Sequence, residues 1–235
     1  MSIGIGLAIM DEFKFKTIAR IRSDFPEKFG IPRQSGILKG LKSLIVFEKE
    51  FKNVDALRGL DGFSHLWLLW IFSENIRDTW KPTVRPPRLG GNTRLGVFAT
   101  RSSFRPNPLA MSCVKIEEIR EDKEFGPVIV VSGADLMDGT PIVDIKPYLP
   151  YADCIPEAIG GFAATAPKTK LQVEIAETEL EKIEQDKRES LTELLRQDPR
   201  PHYQDDPLRI YGLKFGSHEI KFRVEGEKLT VIDII

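Results

Sequence analysis

Two cysteines and three histidines are all that the 235 residues hold of those types, and the scarcity excludes several chemistries. Cys113 and Cys154 stand far apart in no metal-type spacing, as two reduced thiols would. The histidines form no HxH or HExxH pair, so a zinc site is not expected. No run reaches the ~18 apolar residues of a membrane span. The opening stretch MSIGIGLAIMDEFKFK is weakly apolar, but it has no basic lead and is too short. The chain is therefore read as soluble and cytoplasmic, with no metal and no membrane partner. No GxGxxG lies between a strand and a helix, so a doubly wound nucleotide-binding fold would lack its phosphate signature. Net charge is absent too: 34 basic against 35 acidic residues leave −1. That excludes a generally basic nucleic-acid coat but not a local basic face.

What the chain does have is a concentrated basic stretch. Residues 77–108, RDTWKPTVRPPRLGGNTRLGVFATRSSFRPNP, carry Lys81 and the arginines Arg77, Arg85, Arg88, Arg94, Arg101 and Arg105 against the single acid Asp78. Prolines stiffen it, and Gly90, Gly91 and Gly96 open it. Such a loop suits a backbone that approaches an anionic, shaped ligand.

Around it the pattern is mostly β. Strands are expected near 14–22, 43–47, 63–72, 94–99, 110–119 and 127–132, with one helical turn near 53–58. The apolar run 63–72 reads as a buried central strand. A mainly β fold, a barrel or curled sheet, fits better than alternating βαβ units. After about residue 155 the character changes. Residues 156–168 read as a linker, 177–196 as one amphipathic helix, and 170–176, 208–215, 218–224 and 228–233 as strands. Two domains follow: 1–155, and a small α+β unit over 156–235.

Several motifs carry possible chemistry. In FGIPRQSG, Pro32 fixes the backbone and presents Arg33, suited to a carboxylate or phosphate, and Gln34, suited to a base edge. His65 in GFSHLW reads more readily as a histidine fixing a strand than as a base. Asp135, Asp138, Asp144 and Asp153 lie close together around the turn Asp138-Gly139-Thr140-Pro141; carboxylates there could bond ribose hydroxyls or face a cationic cofactor centre. QDPRPHYQDD (197–206) is a connecting loop, or a nucleic-acid contact through Arg200 and Tyr203. Residues alone thus imply a ligand with both charge types, without identifying a reaction.

FGIPRQ, GFSHLW, RPPRLGGN, GVFATRS, FRPNP, DGTP, DIKPYLPYAD and QDPRP, in this order, resemble the TsaA-like family, also called YaeB or TrmO. The resemblance is specific over 14–155 and continues more weakly into the C-terminal part. It implies a small single-sheeted antiparallel β-barrel, with a homodimer and the cofactor near the subunit interface. It also implies an S-adenosylmethionine-dependent tRNA methyltransferase that converts threonylcarbamoyladenosine, beside the anticodon of threonine tRNA, to its N6-methyl form. Carried over, the cofactor contacts are Pro32, Arg33, Gln34, Arg101, Met111 and the turn Asp138, Gly139, Thr140, Pro141. Ser73 and Glu74 stand where the family usually has His-Gln, and Ala110 where glycine is common. Arg85, Arg88, Arg94 and Arg105, with Arg200 and Tyr203, would face tRNA; His65 and Asp138 are the candidate proton acceptors. A methyltransferase acting on a small metabolite, or a module that binds the cofactor or a nucleotide without catalysis, remain the alternatives.

Overall fold

The computed structural model describes residues 13–164, 171–200 and 206–235. Apolar and β-branched segments, alternating with polar residues in β1 and part of β6 and continuous in β2, β3 and β7, produce six main strands in the first part: β1 (Ala19–Arg22), β2 (Lys42–Phe47), β3 (His65–Ile71) and, after the two-residue strands β4 (Thr83–Val84) and β5 (Leu95–Gly96), β6 (Leu109–Asp122), β7 (Gly126–Ser132) and β8 (Pro141–Pro147). Their order is β1-β2-β7-β6-β3-β8, and β1 also pairs with β8, so the sheet closes on itself. Every neighbouring pair is antiparallel. Ile21, Ile45, Leu66, Leu68, Ile129 and Ile142 fill the interior. The short β4–β5 hairpin stands apart and carries the middle of the basic stretch.

The strand expected at 14–22 is shorter, and the one at 94–99 gives way after Gly96 to a 3-10 turn over Val97–Ala99. β8 had no counterpart among the expected strands. Pro141 and Pro147 sit at its two ends, where a missing N–H is tolerated, and its interior VDIK lacks a clean alternation. β3 is not buried throughout: only Leu66, Leu68 and Trp70 point inward, and the residues between them face out.

The second core is built on the sheet β10-β11-β12-β9, formed by β9 (Gln172–Glu174), β10 (Tyr211–Phe215), β11 (His218–Glu225) and β12 (Lys228–Ile234). The helix expected over 177–196 is interrupted. After α1 (Pro150–Asp153), which precedes it in the chain, come α2 (Glu177–Leu180) and α3 (Arg188–Arg196). Between them Glu184 is extended at ψ 134°, which lets Ile183 turn into the core. Arg188 then donates to the carbonyls of Ile183 and Glu181, at 2.9 and 3.1 Å, satisfying groups that a continuous helix would have paired.

The two cores do not divide where the sequence changes character. Residues 23–41, between β1 and β2, place Phe25, Leu38 and Leu41 in the C-terminal core, with Phe29 and Ile31 packed against it. Phe25 meets Phe215 edge-on at 6.3 Å. Asp24 receives Lys187 Nζ at 2.8 Å, and its carbonyl accepts from Gly216 N–H. Gly30, at φ +92°, lies so close under Leu213 that a Cβ there would fall 1.8 Å from its Cδ1. The stretch that carries Pro32-Arg33-Gln34 is therefore folded by both halves of the molecule.

Candidate active site

An antiparallel strand with apolar residues on both faces needs a cover on each. The outward face of β3 carries Trp67 and Leu69; in register on β6, Cys113 and Met111 stand opposite them. Trp67, Leu69, Leu109 and Met111 line a cavity of about 780 Å³, in the range of sites for ligands of cofactor size. Met111 is half exposed, an unusual state for a strand methionine. The β3–β8 register shifts between Leu69 and Trp70, at the cavity.

Three segments enclose this apolar floor. Residues 31–34 form one wall. Gln34 Oε1 accepts from Arg101 Nη1 at 2.6 Å, which joins the first loop to the end of the basic stretch. Gly36 N–H donates to the Gly133 carbonyl at 2.8 Å, fixing the loop against the segment that follows β7. The second wall is residues 72–75, where Lys28 Nζ donates to Asn75 Oδ1 at 2.8 Å and to the Glu74 carbonyl at 3.3 Å. Lys146 and Asp153 close the far end; Asp153 Oδ2 accepts from Trp67 Nε1 and from Leu149 N–H, at 3.0 and 2.8 Å.

The cavity's electrostatics centre on Asp135. Its Oδ1 accepts from Ser112 Oγ at 2.5 Å, and that oxygen in turn accepts from Trp70 Nε1 at 2.9 Å. Burial pushes the Asp135 carboxyl above its ordinary range, against the opposing pull of Ser112, two backbone N–H groups and the Arg101 charge. Burial lowers Arg33, while Asp198 acts to keep it charged; Arg33 Nη2 donates to the Asp198 carbonyl at 3.3 Å. Burial, then Asp153, raises the Cys113 thiol, so it stays protonated at neutral pH. The cavity thus offers an apolar slot, carboxylates of which Asp135 is half-buried, and the guanidinium groups of Arg33, Arg101 and Arg105. That donor set fits a zwitterionic, nucleoside-bearing ligand such as S-adenosylmethionine: acid for ribose hydroxyls or a sulfonium, cations for a carboxylate.

Of the residues singled out in the sequence, Pro32, Arg33, Gln34, Ser73, Glu74, Arg101, Met111 and Thr140 line this one cavity, as does Arg105. Asp138, Gly139 and Pro141 do not. Asp138 instead accepts from Ser23 N–H at 3.0 Å and pairs with Arg22, and the Gly139 carbonyl accepts from Arg20. The DGTP turn therefore braces β1, and only Thr140 reaches the cavity. His65 also lies outside it, bonded through Nδ1 to Ser64 Oγ at 2.8 Å and packed edge-on against Tyr148. Arg85 and Arg94 are exposed, and Arg94 donates to Thr83 Oγ1. Arg200 is largely buried against Asp198, with Nε 2.9 Å from Oδ1, so it holds its own loop. Tyr203 and the Arg88 side chain lie outside the described residues. Ser112, Lys28, Asn75 and Lys146 were not singled out. The readable sign of the site was the set of apolar residues on the outward faces of β3 and β6, which line the cavity.

Among the described residues no group of His, Cys, Asp or Glu could hold a metal ion, and no helix is long and apolar enough to cross a membrane. Residues 20–154 match the family model of the tRNA-methyltransferase O N-terminal domain, and residues 168–235 that of the TrmO C-terminal domain. The Escherichia coli tRNA (adenine(37)-N6)-methyltransferase is 42% identical over 92% of this chain and 94% of its own length. A Pseudomonas aeruginosa relative, whose name refers to S-adenosylmethionine-dependent methyl transfer, is 39% identical over 92% of this chain and 95% of its own. A crystal structure of TrmO from Pseudomonas aeruginosa superposes with a TM-score of 0.77 at 32% identity, covering 95% of this chain and 98% of that one.

Proposed function

The chain belongs to the tRNA-methyltransferase O family, and from that premise we propose that it methylates N6 of threonylcarbamoyladenosine at position 37 of threonine tRNA. At the coarser level it is an S-adenosylmethionine-dependent tRNA (adenine-37-N6)-methyltransferase. The observation that carries the reading is the meeting of Arg33, Arg101 and Asp135 over the outward apolar face of β3 and β6 in one cavity.

S-adenosylmethionine supplies, when bound, an electrophilic methyl group on a sulfonium that leaves as a neutral thioether. The chain's own residues bind and orient. Arg33 and Arg101 suit the methionyl carboxylate. Asp135, held by Ser112, suits the ribose hydroxyls or the positive centre, and Leu69 and Met111 exclude water from the slot. Holding donor and acceptor in line reduces the barrier without a metal. The acidic side chains on the cavity wall are Glu74, Asp135 and Asp153, whereas His65 and Asp138 have other partners. In this reading residues 1–155 are the catalytic unit and 156–235 the second domain. Arg85, Arg88, Arg94 and Arg105 meet tRNA phosphates or the threonyl carboxylate. A homodimer, with the cavity near the subunit interface, gives half-exposed Met111 and Leu109 a cover.

The test is threonine tRNA from a strain lacking this modification, incubated with methyl-labelled cofactor and digested to nucleosides. Label in threonylcarbamoyladenosine is expected. No label in any nucleoside would refute the tRNA reading, and label in plain adenosine would refute its finer part.

A further inference from the structure

Beside the cavity the β4–β5 hairpin holds two large aromatic rings in solvent. Trp80 is 50% exposed and Phe98 73%, and their ring centroids lie 6.1 Å apart at 34°. Large exposed aromatics are the informative exception on a soluble surface, and these are held in place rather than loose. Val97, next to Phe98, is buried, and its N–H donates to the Pro82 carbonyl at 2.9 Å. Arg94 ties back to Thr83 across the hairpin. The hairpin and its flanks are rich in cations: Arg77, whose guanidinium lies 4.3 Å from the centre of the Phe104 ring, precedes Trp80 by three residues, Lys81 follows it, and exposed Arg85 and Arg94 stand on the hairpin. Phe98 precedes the cavity-lining Arg101 by three residues, so their Cα atoms are at most about 10 Å apart.

We propose that Trp80 and Phe98 form a stacking platform for an unpaired nucleobase next to the base that enters the cavity. Single-stranded RNA is gripped by aromatic faces and basic side chains together, because each base has a π-face and each phosphate a charge. Aromatics without cations would suit an apolar partner equally well. The cations along the hairpin and its flanks select a polyanion, and proximity to the cavity selects nucleotides flanking the target. The proposal rests on the tRNA reading above and deepens it.

Wild type, Trp80→Ala and Phe98→Ala, titrated with the anticodon stem-loop of threonine tRNA at several salt concentrations, decide it. Each variant is expected to weaken binding by about 5- to 100-fold with the salt slope unchanged, since stacking releases no counterions. Emission assigned to Trp80 by difference from Trp80→Phe, which leaves Trp67 and Trp70, is expected to be quenched by the stem-loop and not by a blunt RNA duplex. Variants that bind within twofold of a salt-sensitive wild type would overturn the platform and leave the tRNA reading standing. A wild type with no salt-dependent binding at all would bring down both. Variants that turn a sedimenting dimer into a monomer while keeping stem-loop affinity would assign the rings to a subunit contact, which also overturns the proposal.

Discussion

Ser112 is 1% exposed and joins two groups that need it: it accepts from the Trp70 indole N–H and donates to the Asp135 carboxylate. In Ser112→Ala both lose their partner at once. A buried donor left without an acceptor costs about 1–3 kcal/mol. The indole of Trp70, on a residue 7% exposed, is placed to suffer it. The carboxylate borders the cavity, where water can replace part of what is lost, so its share is nearer the lower end, about 1 kcal/mol. The sum, about 2–4 kcal/mol, corresponds to a fall of roughly 4–16 °C in Tm for a chain of this size. The loss is expected to depend on pH in a definite sense. Ser112 is among the groups that lower the Asp135 pKa, so its removal raises a value that burial already lifts. A carboxyl with a raised folded-state pKa contributes stability that is complete below its unfolded value and is lost as pH rises through the folded one. The deficit of Ser112→Ala should therefore be smallest in acid and grow toward neutrality. Urea unfolding across that range measures it. A deficit below about 1 kcal/mol that does not change with pH would refute the view of Asp135 as a desolvated carboxylate held by one hydroxyl.

Asp135→Asn removes the charge that burial disfavours, so its stability relative to wild type should increase as pH rises from acid to neutral, while calorimetry finds weaker S-adenosylmethionine binding. Gly30→Ala puts a Cβ against Leu213 at a residue with φ +92°, and should destabilise by about 2–4 kcal/mol in urea and weaken the cofactor at the same time. Lys187→Ala leaves Asp24 in the joint between the cores with its main cation gone; the two side chains are 27% and 15% exposed, so a loss of about 1–2 kcal/mol is expected, changing little between low and high salt. Arg85→Ala should reduce the slope of log affinity for tRNA against log salt by about one, measured by filter binding.

Much of this molecule was legible in its sequence, and the unreadable parts have physical causes. Short apolar, β-branched runs betrayed β2 and β7, a partly alternating stretch betrayed β6, and the PRQ and Arg101 positions proved to share one cavity. β8 was hidden because prolines end it and its interior has a poor period, although it closes the sheet by pairing with β1. The continuous helical pattern over 177–196 concealed a break that tertiary contacts impose, with Ile183 taken into the core. Asp135 and Asp138 were equivalent members of an acidic cluster in one dimension. Only folding sends one to the cavity and the other to Ser23. The continuous apolar run of β3 suggested burial on both faces. Its outward half instead lines the cavity, a distinction that depends on what covers it.

Residues 23–41 pack into the C-terminal core and hydrogen-bond to the turns at Gly133 and Asp138 of the first part, and the thermodynamic linkage this creates reaches beyond packing. A ligand that selects the ordered form of 32–34 also selects the docked positions of Phe25 and Leu41, so its binding energy is shared with the C-terminal sheet. At a hundredfold excess over Kd that is about 2.7 kcal/mol of added resistance to unfolding, distributed over both halves. The reverse also holds. A lesion beneath Leu213 or Phe215, far in sequence from β3 and β6, would be registered as lost affinity in a cavity whose own floor is intact.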